Sequence, residues 1–241
     1  MSDAVLYAVE AGIATIRLNR PEARNALNLA MCEGLAEAAR RASQDSEVKM
    51  VLVRGAGSVF CAGADVKERQ GMDAAQVRAR RTKGFEAYAA LEALPMPAVA
   101  VVEGPAVGSG CEIAAACDFL IATPAASFRT PEALRGTVGA TQRLARVLGK
   151  RLAKDLMYTG RTLSAAEALA HGLVARLVSA ETLEETVASI AKSISEAPQH
   201  SLRLAKRTID RGVELDPKGA LAAEIEAIEE QLASGQWMGK P

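Results

Sequence analysis

The chain has 241 residues, and its 29 lysines and arginines are balanced by 29 aspartates and glutamates. This balance leaves no net positive field that would gather nucleic acid or an anionic membrane surface, so we expect neither as a partner. The chain has four cysteines but no Cys-x-x-Cys pair, and its first residues do not form a leader with a basic and then an apolar segment. These two features predict reduced thiols in a cytoplasmic protein. With two histidines and no ligand spacing, a zinc site or a serine–histidine triad is not expected.

The first half of the chain alternates between predicted strands and helices. Val5 to Glu10 and Ile13 to Asn19 are predicted to form a hairpin. Asn28 is a candidate N-cap for a helix from Leu29 to about Ala42. The apolar run Met50 to Val53 is typical of a buried parallel strand.

The next elements continue this alternation. An arginine-rich segment from about Met72 to Lys83 contains no aromatic residue to stack a base, and we expect it to be mobile or solvated. An amphipathic stretch from Phe85 to Leu94 leads into two further apolar runs, Ala98 to Val102 and Phe119 to Ala122. This order predicts right-handed β-α-β units and a mostly parallel sheet, which is an α/β fold.

Beyond Gly139 the pattern becomes helical, which predicts a sheet-rich body of about 160 residues before a largely helical C-terminal region. Helix starts are indicated by two capping boxes and one Asp-Pro pair, namely Ser164 with Glu167, Thr182 with Glu185, and Asp216 with Pro217. The last predicted helix is apolar on more than one side. It needs cover from the body of the chain or from a neighbouring subunit, and the pattern leaves both open.

Two glycine-rich segments, Phe60 to Lys67 and Gly104 to Glu112, expose bare backbone and end at charged side chains. Two main-chain N–H groups that converge on one oxygen form an oxyanion hole, a device for acyl chemistry. The third glycine of a dinucleotide fingerprint and the Lys-Ser/Thr pair of a phosphate-binding P-loop are both missing. Either segment alone also fits a tight turn without a ligand, but together they favour a site.

The chain resembles the enoyl-CoA hydratase/isomerase (crotonase) superfamily from its first strand to about Val178, and it is closest to the enoyl-CoA hydratases. The motifs that carry the resemblance are Asn19-Arg20-Pro21 with Asn25-Ala26-Leu27, Phe60 to Glu68, Gly104 to Asp118, Pro131-Glu132, and Thr141 to Leu144. The resemblance implies a crotonase-like ββα spiral core that holds the active site over residues 1–180. It also implies a helical trimerisation region over residues 181–241, in a homotrimer or a dimer of trimers.

The resemblance also assigns the active site. It places the oxyanion hole at the backbone N–H groups of Ala64 and Ser109, and the catalytic pair at Glu112 and Glu132. Glu112 is expected to activate a water molecule, and Glu132 to protonate the α-carbon of a 2-enoyl-CoA thioester. The implied reaction is the reversible addition of water across the 2,3 double bond, which gives a 3-hydroxyacyl-CoA.

Coenzyme A enters this reaction as part of the acyl-CoA substrate, so no separate cofactor and no metal are expected. By the resemblance, the CoA portion lies along five positions, which are Arg24, Ala26, Ala62, Asp65 and Lys67. Lys67 would meet a phosphate as a point charge, although it also fits an ordinary solvated lysine after a turn.

Three departures from the family pattern bear on the substrate. Ser109 stands where relatives usually have glycine, and the loop from Gly136 to Ala140 is shorter than usual after Glu132. The residues Trp237 to Pro241 stand where relatives usually continue into a closing helix with a phenylalanine and basic residues.

The resemblance leaves three alternatives to hydration, which are double-bond isomerisation, non-catalytic acyl-CoA binding and RNA binding. Relatives that only shift a double bond commonly manage with one acid/base residue. The presence of both glutamates therefore favours hydration.

Overall fold

The computed structural model describes residues 3–235. Its strands are β1 Val5–Glu10, β2 Ile13–Leu18, β3 Met50–Gly55, β4 Ala98–Val102, β5 Pro105–Val107, β6 Phe119–Ala122, β7 Ser127–Arg129, β8 Leu163–Ser164 and β9 Arg176–Leu177. Its helices are α1 Leu29–Gln44, α2 Ala74–Glu92, α3 Ser109–Ala115, α4 Arg143–Thr159, α5 Ala165–Ala170, α6 Leu183–Glu196, α7 Gln199–Gly212 and α8 Pro217–Ala233.

The main sheet of the described residues has six strands in the order β1-β2-β3-β4-β6-β9. The pair β1 and β2 is antiparallel, and every later neighbour is parallel, so the predicted hairpin and mostly parallel sheet are confirmed. Because β4 is buried along its whole length, it carries the continuous apolar sequence that parallel strands covered on both faces require.

Helices cover both faces of this sheet. Val51 and Val53 of β3 point into the larger core, which includes residues of α1 and α2. Met50 and Leu52 alternate with them and pack in a second cluster that includes Leu183 of α6. Helix α6 therefore packs on the sheet although it follows residue 180, and the division into residues 1–180 and 181–241 stays a prediction.

The arginine-rich segment from Met72 to Lys83, which was predicted to be mobile or solvated, is mostly exposed, but it is helical. Helix α2 runs unbroken from Ala74 to Glu92, and Asp73 and Gln76 close its N-terminus with a capping box. Arg80 is buried because its Nε donates to Glu68 at 2.9 Å, which offsets the cost of removing the charge from water. This charged segment thus forms a helix in which Arg80 is buried and Arg78 is exposed.

All four predicted helix starts agree with the structure, and three of them carry the predicted side-chain cap. Asn28, Ser164 and Asp216 each accept a backbone N–H bond from the first turn of the following helix. The capping box at Thr182 is wrong, because Thr182 has helical backbone angles and its side chain makes no cap hydrogen bond. The hydroxyl of Ser179 instead accepts the Thr182 N–H at 3.4 Å.

A second, small sheet carries the glycine-rich segment that leads to Glu112. Its strands lie in the order β5-β7-β8, and β5 is parallel to β7. The Gly108 N–H donates to the Arg129 carbonyl at 2.8 Å, so the start of α3 is anchored to the end of β7. This anchor brings the residues just after β7 next to the start of α3.

Helices α7 and α8 form the end of the described chain and pack against each other. A largely apolar groove of about 810 Å³ lies between them. The residues of α8 expected at helical spacing are about half exposed, and they are Leu221, Ile225, Ile228 and Leu232. In residues 3–235 no helix combines the length and the apolar character that crossing a membrane requires. The terminal residues used in the sequence interpretation, Met1-Ser2 and Trp237 to Pro241, lie outside the described part.

Candidate active site

The two glycine-rich segments lie side by side. Cys61 and Ala106 form a parallel bridge, in which the Cys61 N–H donates to Pro105 at 3.2 Å and its carbonyl accepts from Val107 at 2.9 Å. A Cβ on Gly63 would lie 2.9 Å from the Val107 carbonyl oxygen and 4.0 Å from the Ser109 nitrogen. Only glycine allows this approach, because Gly63 also has a φ of +95°.

The two amides expected to form the hole have no other partner within residues 3–235. The Leu27 N–H donates to the Gly63 carbonyl, and the Leu27 carbonyl accepts from the Asp65 N–H. The N–H of Ala64, which lies between these two residues in the chain, is therefore directed away from Leu27. Ser109 is the first residue of α3, and an N–H at this position has no intrahelical acceptor. Both amides are therefore available to an oxygen atom in the cavity that Ala64 and Ser109 line.

Ser109, where relatives usually have glycine, reaches an aromatic neighbour. The phenol of Tyr88 is buried, which raises its pKa, and the side chain of Ser109 lowers it in part. The serine side chain thus lies near this phenol at the edge of the cavity, while its backbone N–H remains free.

Glu112 lies in the first turn of α3 and is only 4% exposed. Its Oε2 accepts from Nη1 of Arg143 at 3.1 Å, while its buried Oε1 has no partner in the described structure. Burial raises the pKa of this carboxyl group, and the charge of Arg143 lowers it in part. Arg143 thus holds Glu112 in place and favours its ionised form.

Glu132 follows Pro131 and precedes the 3-10 turn Ala133–Arg135. Its carboxylate makes no ion pair within the described part of the chain, and its buried Oε2 has no hydrogen-bond partner. Burial raises the pKa of Glu132, the negative charge of Glu112 raises it further, and Arg135 and Arg81 oppose this. A carboxyl group in these surroundings keeps its proton to higher pH than an exposed glutamate does.

One cavity of about 240 Å³ joins all four of these residues, Ala64, Ser109, Glu112 and Glu132. The shorter loop after Glu132 therefore still places this side chain beside Glu112. The carboxyl group of Glu132 fits there because Gly108 has no side chain. A Cβ at Gly108 would overlap Oε1 of Glu132. The arrangement places two free N–H donors where they can bind one oxygen atom of a ligand. It also places two carboxyl groups, which differ in their electrostatic surroundings, beside the same ligand.

The five residues predicted to bind CoA lie together beside this cavity. The Arg24 carbonyl accepts from the Ala62 N–H at 3.0 Å, and the Ala26 carbonyl accepts from Nη1 of Arg20 at 2.6 Å. Ala62 lines the cavity, whereas Lys67 is exposed outside it.

The side chain of Asp65 is engaged within the protein. It receives Nη1 of Arg20 at 3.0 Å and the Lys67 N–H at 3.0 Å. Burial alone would raise the pKa of Asp65, but these bonds lower it below the usual value. Asp65 thus fixes the loop that presents Ala64.

Sequence reasoning missed the charged residues around the two glutamates. Arg143 appeared only as a letter of the Thr141 to Leu144 motif, yet its Nη2 also donates to Glu92 at 2.7 Å. The cavity wall includes Arg80 and Arg81 of the segment that was predicted to be mobile or solvated, and Arg69 just before that segment. The unusual density of arginine in that segment was the available signal.

Fold and site together define an α/β protein that presents paired main-chain donors with one buried and one partly buried carboxyl group in the same cavity. The family model for enoyl-CoA hydratase/isomerase matches residues 8–237, and the chain belongs to this family.

Relatives and solved structures agree with the family model. The short-chain-enoyl-CoA hydratase of Clostridium acetobutylicum is 39% identical over 231 residues, covering 94% of this chain and 88% of that protein. The crotonyl-CoA hydratase of Syntrophomonas wolfei is 35% identical over 228 residues, covering 93% and 88%. The crystal structure of an enoyl-CoA hydratase from Bacillus anthracis superposes with a TM-score of 0.90 at 37% identity, covering 94% and 90% of the two chains. The likeness establishes the crotonase-like core that the sequence predicted.

Proposed function

We propose that this protein is an enoyl-CoA hydratase that adds water reversibly across the 2,3 double bond of a 2-enoyl-CoA thioester. The observation that carries the proposal is the shared cavity, in which Glu112 and Glu132 stand beside the free amides of Ala64 and Ser109. The names of the relatives described above support the same reaction.

The thioester carbonyl oxygen accepts hydrogen bonds from the Ala64 and Ser109 N–H groups. This polarisation stabilises negative charge on the oxygen and makes the β-carbon electrophilic. Glu112 takes a proton from water as the water oxygen bonds to the β-carbon, and the electron pair of the double bond moves into the enolate. Glu132 then gives its proton to the α-carbon, and proton exchange with solvent resets both groups.

The electrostatics of the two carboxyl groups support these separate roles. Burial raises the pKa of both carboxyl groups, but Arg143 lies against Glu112 and lowers its pKa in part, which favours the ionised form that a base needs. Glu132 has no ion pair in residues 3–235, and burial and the charge of Glu112 favour the protonated form that an acid needs. The reaction is an acid–base addition whose balance requires neither a metal nor a redox cofactor. Coenzyme A enters as part of the substrate.

Binding and assembly follow the family pattern in this proposal. The CoA portion lies along Arg24, Ala26, Ala62, Asp65 and Lys67, with Lys67 exposed and free to meet a phosphate. The half-exposed apolar face of α8 supports a homotrimer or a dimer of trimers. Four free and buried cysteines support a cytoplasmic location.

Mixing the purified protein with crotonyl-CoA, hexenoyl-CoA or a branched 2-enoyl-CoA tests the proposed reaction. We expect the absorbance of the conjugated thioester to fall as the 3-hydroxyacyl product forms. Isomerisation of a 3-enoyl-CoA without hydration would point to the isomerase alternative. Tight binding of CoA thioesters without any turnover would identify a binder, and salt-sensitive binding of RNA would identify an RNA-binding relative.

The ion pair between Arg143 and Glu112 predicts a specific pH effect. Arg143 lowers the pKa of Glu112, so Arg143→Leu should raise this pKa and move the acidic limb of the kcat/KM profile to higher pH. Arg143→Lys keeps the charge, so it should move the acidic limb less far than Arg143→Leu does.

Glu92→Gln is the control of opposite sign. Glu92 raises the pKa of Glu112, so its removal should move the same limb to lower pH. An acidic limb that stays in place in the Arg143→Leu variant would contradict the assignment of Glu112 as the base.

A further inference from the structure

Arginine side chains dominate one part of the cavity wall. Arg69 comes from the loop before α2, Arg80 and Arg81 from α2 itself, and Arg135 from the turn after Glu132. Apolar side chains accompany them at Val66, Phe85 and Val138, which also line the cavity. The wall therefore offers apolar surface and several guanidinium groups to the same occupant.

These positive charges are not balanced by the protein. Arg80 is paired with Glu68, and Arg143 is paired with Glu112. With these pairs set aside, the cavity is lined by three arginines, Arg69, Arg81 and Arg135, and by one acidic side chain, Glu132. In the described residues none of the three forms an ion pair, and the recorded partner of Arg81 is the neutral hydroxyl of Thr137.

Two buried guanidinium nitrogens are also left without a partner. Arg80 is only 5% exposed, and its Nη2 makes no hydrogen bond among residues 3–235. Nε of Arg69 is also buried and also lacks a partner within these residues. Burial lowers the pKa of Arg69, and the neighbouring charges of Arg81 and Arg80 lower it further. A buried donor without an acceptor is costly, and an anion in the cavity would supply the missing acceptors.

The anion belongs to the acyl group because of where the CoA residues lie. Of the five positions proposed to hold CoA, only Ala62 lines the cavity. The CoA phosphates would therefore lie outside, and the part of the substrate that enters between the arginines is the acyl chain beyond the carbonyl carbon.

We propose that the preferred substrate is a 2-enoyl-CoA whose acyl chain ends in a carboxylate, held by Arg69 together with Arg81 and the free edge of Arg80. This inference rests on the proposed function, since it names the substrate class of the same site. The apolar residues pack against the chain carbons, and the guanidinium groups bind the distal carboxylate.

The test compares the binding of two saturated thioesters, glutaryl-CoA and pentanoyl-CoA, which differ in the distal carboxylate. Calorimetry with the full chain should show glutaryl-CoA binding about 10- to 100-fold more tightly, the range for a charge-assisted contact. Arg69→Met should reduce this ratio by about tenfold and Arg69→Lys should retain part of it. Arg40→Met is the matched control, because Arg40 pairs with Glu37 on the exposed face of α1.

Equal affinities of the unmodified protein for the two thioesters would overturn the inference. Equal weakening of both by Arg69→Met would also overturn it, because Arg69 would then bind a CoA phosphate. These measurements need no turnover, so they remain decisive if the hydration assay fails. Hydration of crotonyl-CoA combined with equal affinities would retain the proposed function and remove the carboxylate preference.

Discussion

Glu112→Gln and Glu132→Gln are each expected to lower kcat for hydration by about 10²- to 10⁴-fold, the usual contribution of general acid–base catalysis. Glutamine keeps the size of each side chain but can neither take the proton of the water nor deliver one to the α-carbon. Steady-state kinetics with crotonyl-CoA measure the effect, and calorimetry with an unreactive saturated acyl-CoA checks that binding is retained.

Glu86→Gln is the matched control for these two variants. Glu86 is an exposed residue of α2 whose recorded partner is Lys83, and it does not line the cavity. Its replacement should leave kcat within twofold or so, as expected for a surface charge outside the site. Full activity of either catalytic variant would remove that glutamate from the mechanism.

Gly108→Ala is the second change for which we expect a large effect. Gly108 has a φ of +52° and a ψ of −109°, and a Cβ there would overlap Oε1 of Glu132. The alanine would push the carboxyl group out of position, and kcat should fall by about 10²-fold or more, as in a loss of the acid itself. The strained backbone should cost about 1–3 kcal/mol of unfolding free energy, measured by denaturant titration.

Gly136→Ala separates the displaced carboxyl group from backbone strain. Gly136 also has a positive φ, +67°, but a Cβ there meets no atom within 4 Å. This variant should lose some stability and keep its activity. The double variant Gly108→Ala/Glu132→Gln should be no slower than Glu132→Gln by itself, because both changes remove the same group. Additive losses would show that Gly108→Ala acts elsewhere, for example on the Ser109 amide.

Most of the longer strands and helices can be predicted from the sequence, because the patterns that indicate them are local. The hairpin and the long buried strands follow from alternation and apolar runs, and the caps at Asn28 and Asp216 use side chains next to the helix they start. Strands β5, β7 and β8 have two or three residues each, which is too short for a periodic pattern. The first half of helix α2 was missed because the buried Arg80 is accommodated by a partner outside the helix, Glu68.

The candidate site, like the fold, can be predicted only in part from the sequence. The two glycine-rich segments can be recognised from their small residues, and family resemblance supplies Glu112 and Glu132. The different surroundings of these glutamates depend on Arg143, which is 31 residues beyond Glu112. No local pattern shows that Arg143 reaches both Glu112 and Glu92. The arginine wall likewise depends on the way in which α2 packs against the loop that holds Thr137.

The parallel bridge at Cys61 and Ala106 has a consequence for redesign of this protein. Main-chain hydrogen bonds hold the two segments that carry the Ala64 and Ser109 amides side by side, and the side chain of Arg69 takes no part in these bonds. Arg81, in contrast, acts on the pKa of Glu132. Under the proposed roles, an engineer would alter which acyl groups are accepted through Arg69, rather than Arg81, and retain the parts that activate the thioester.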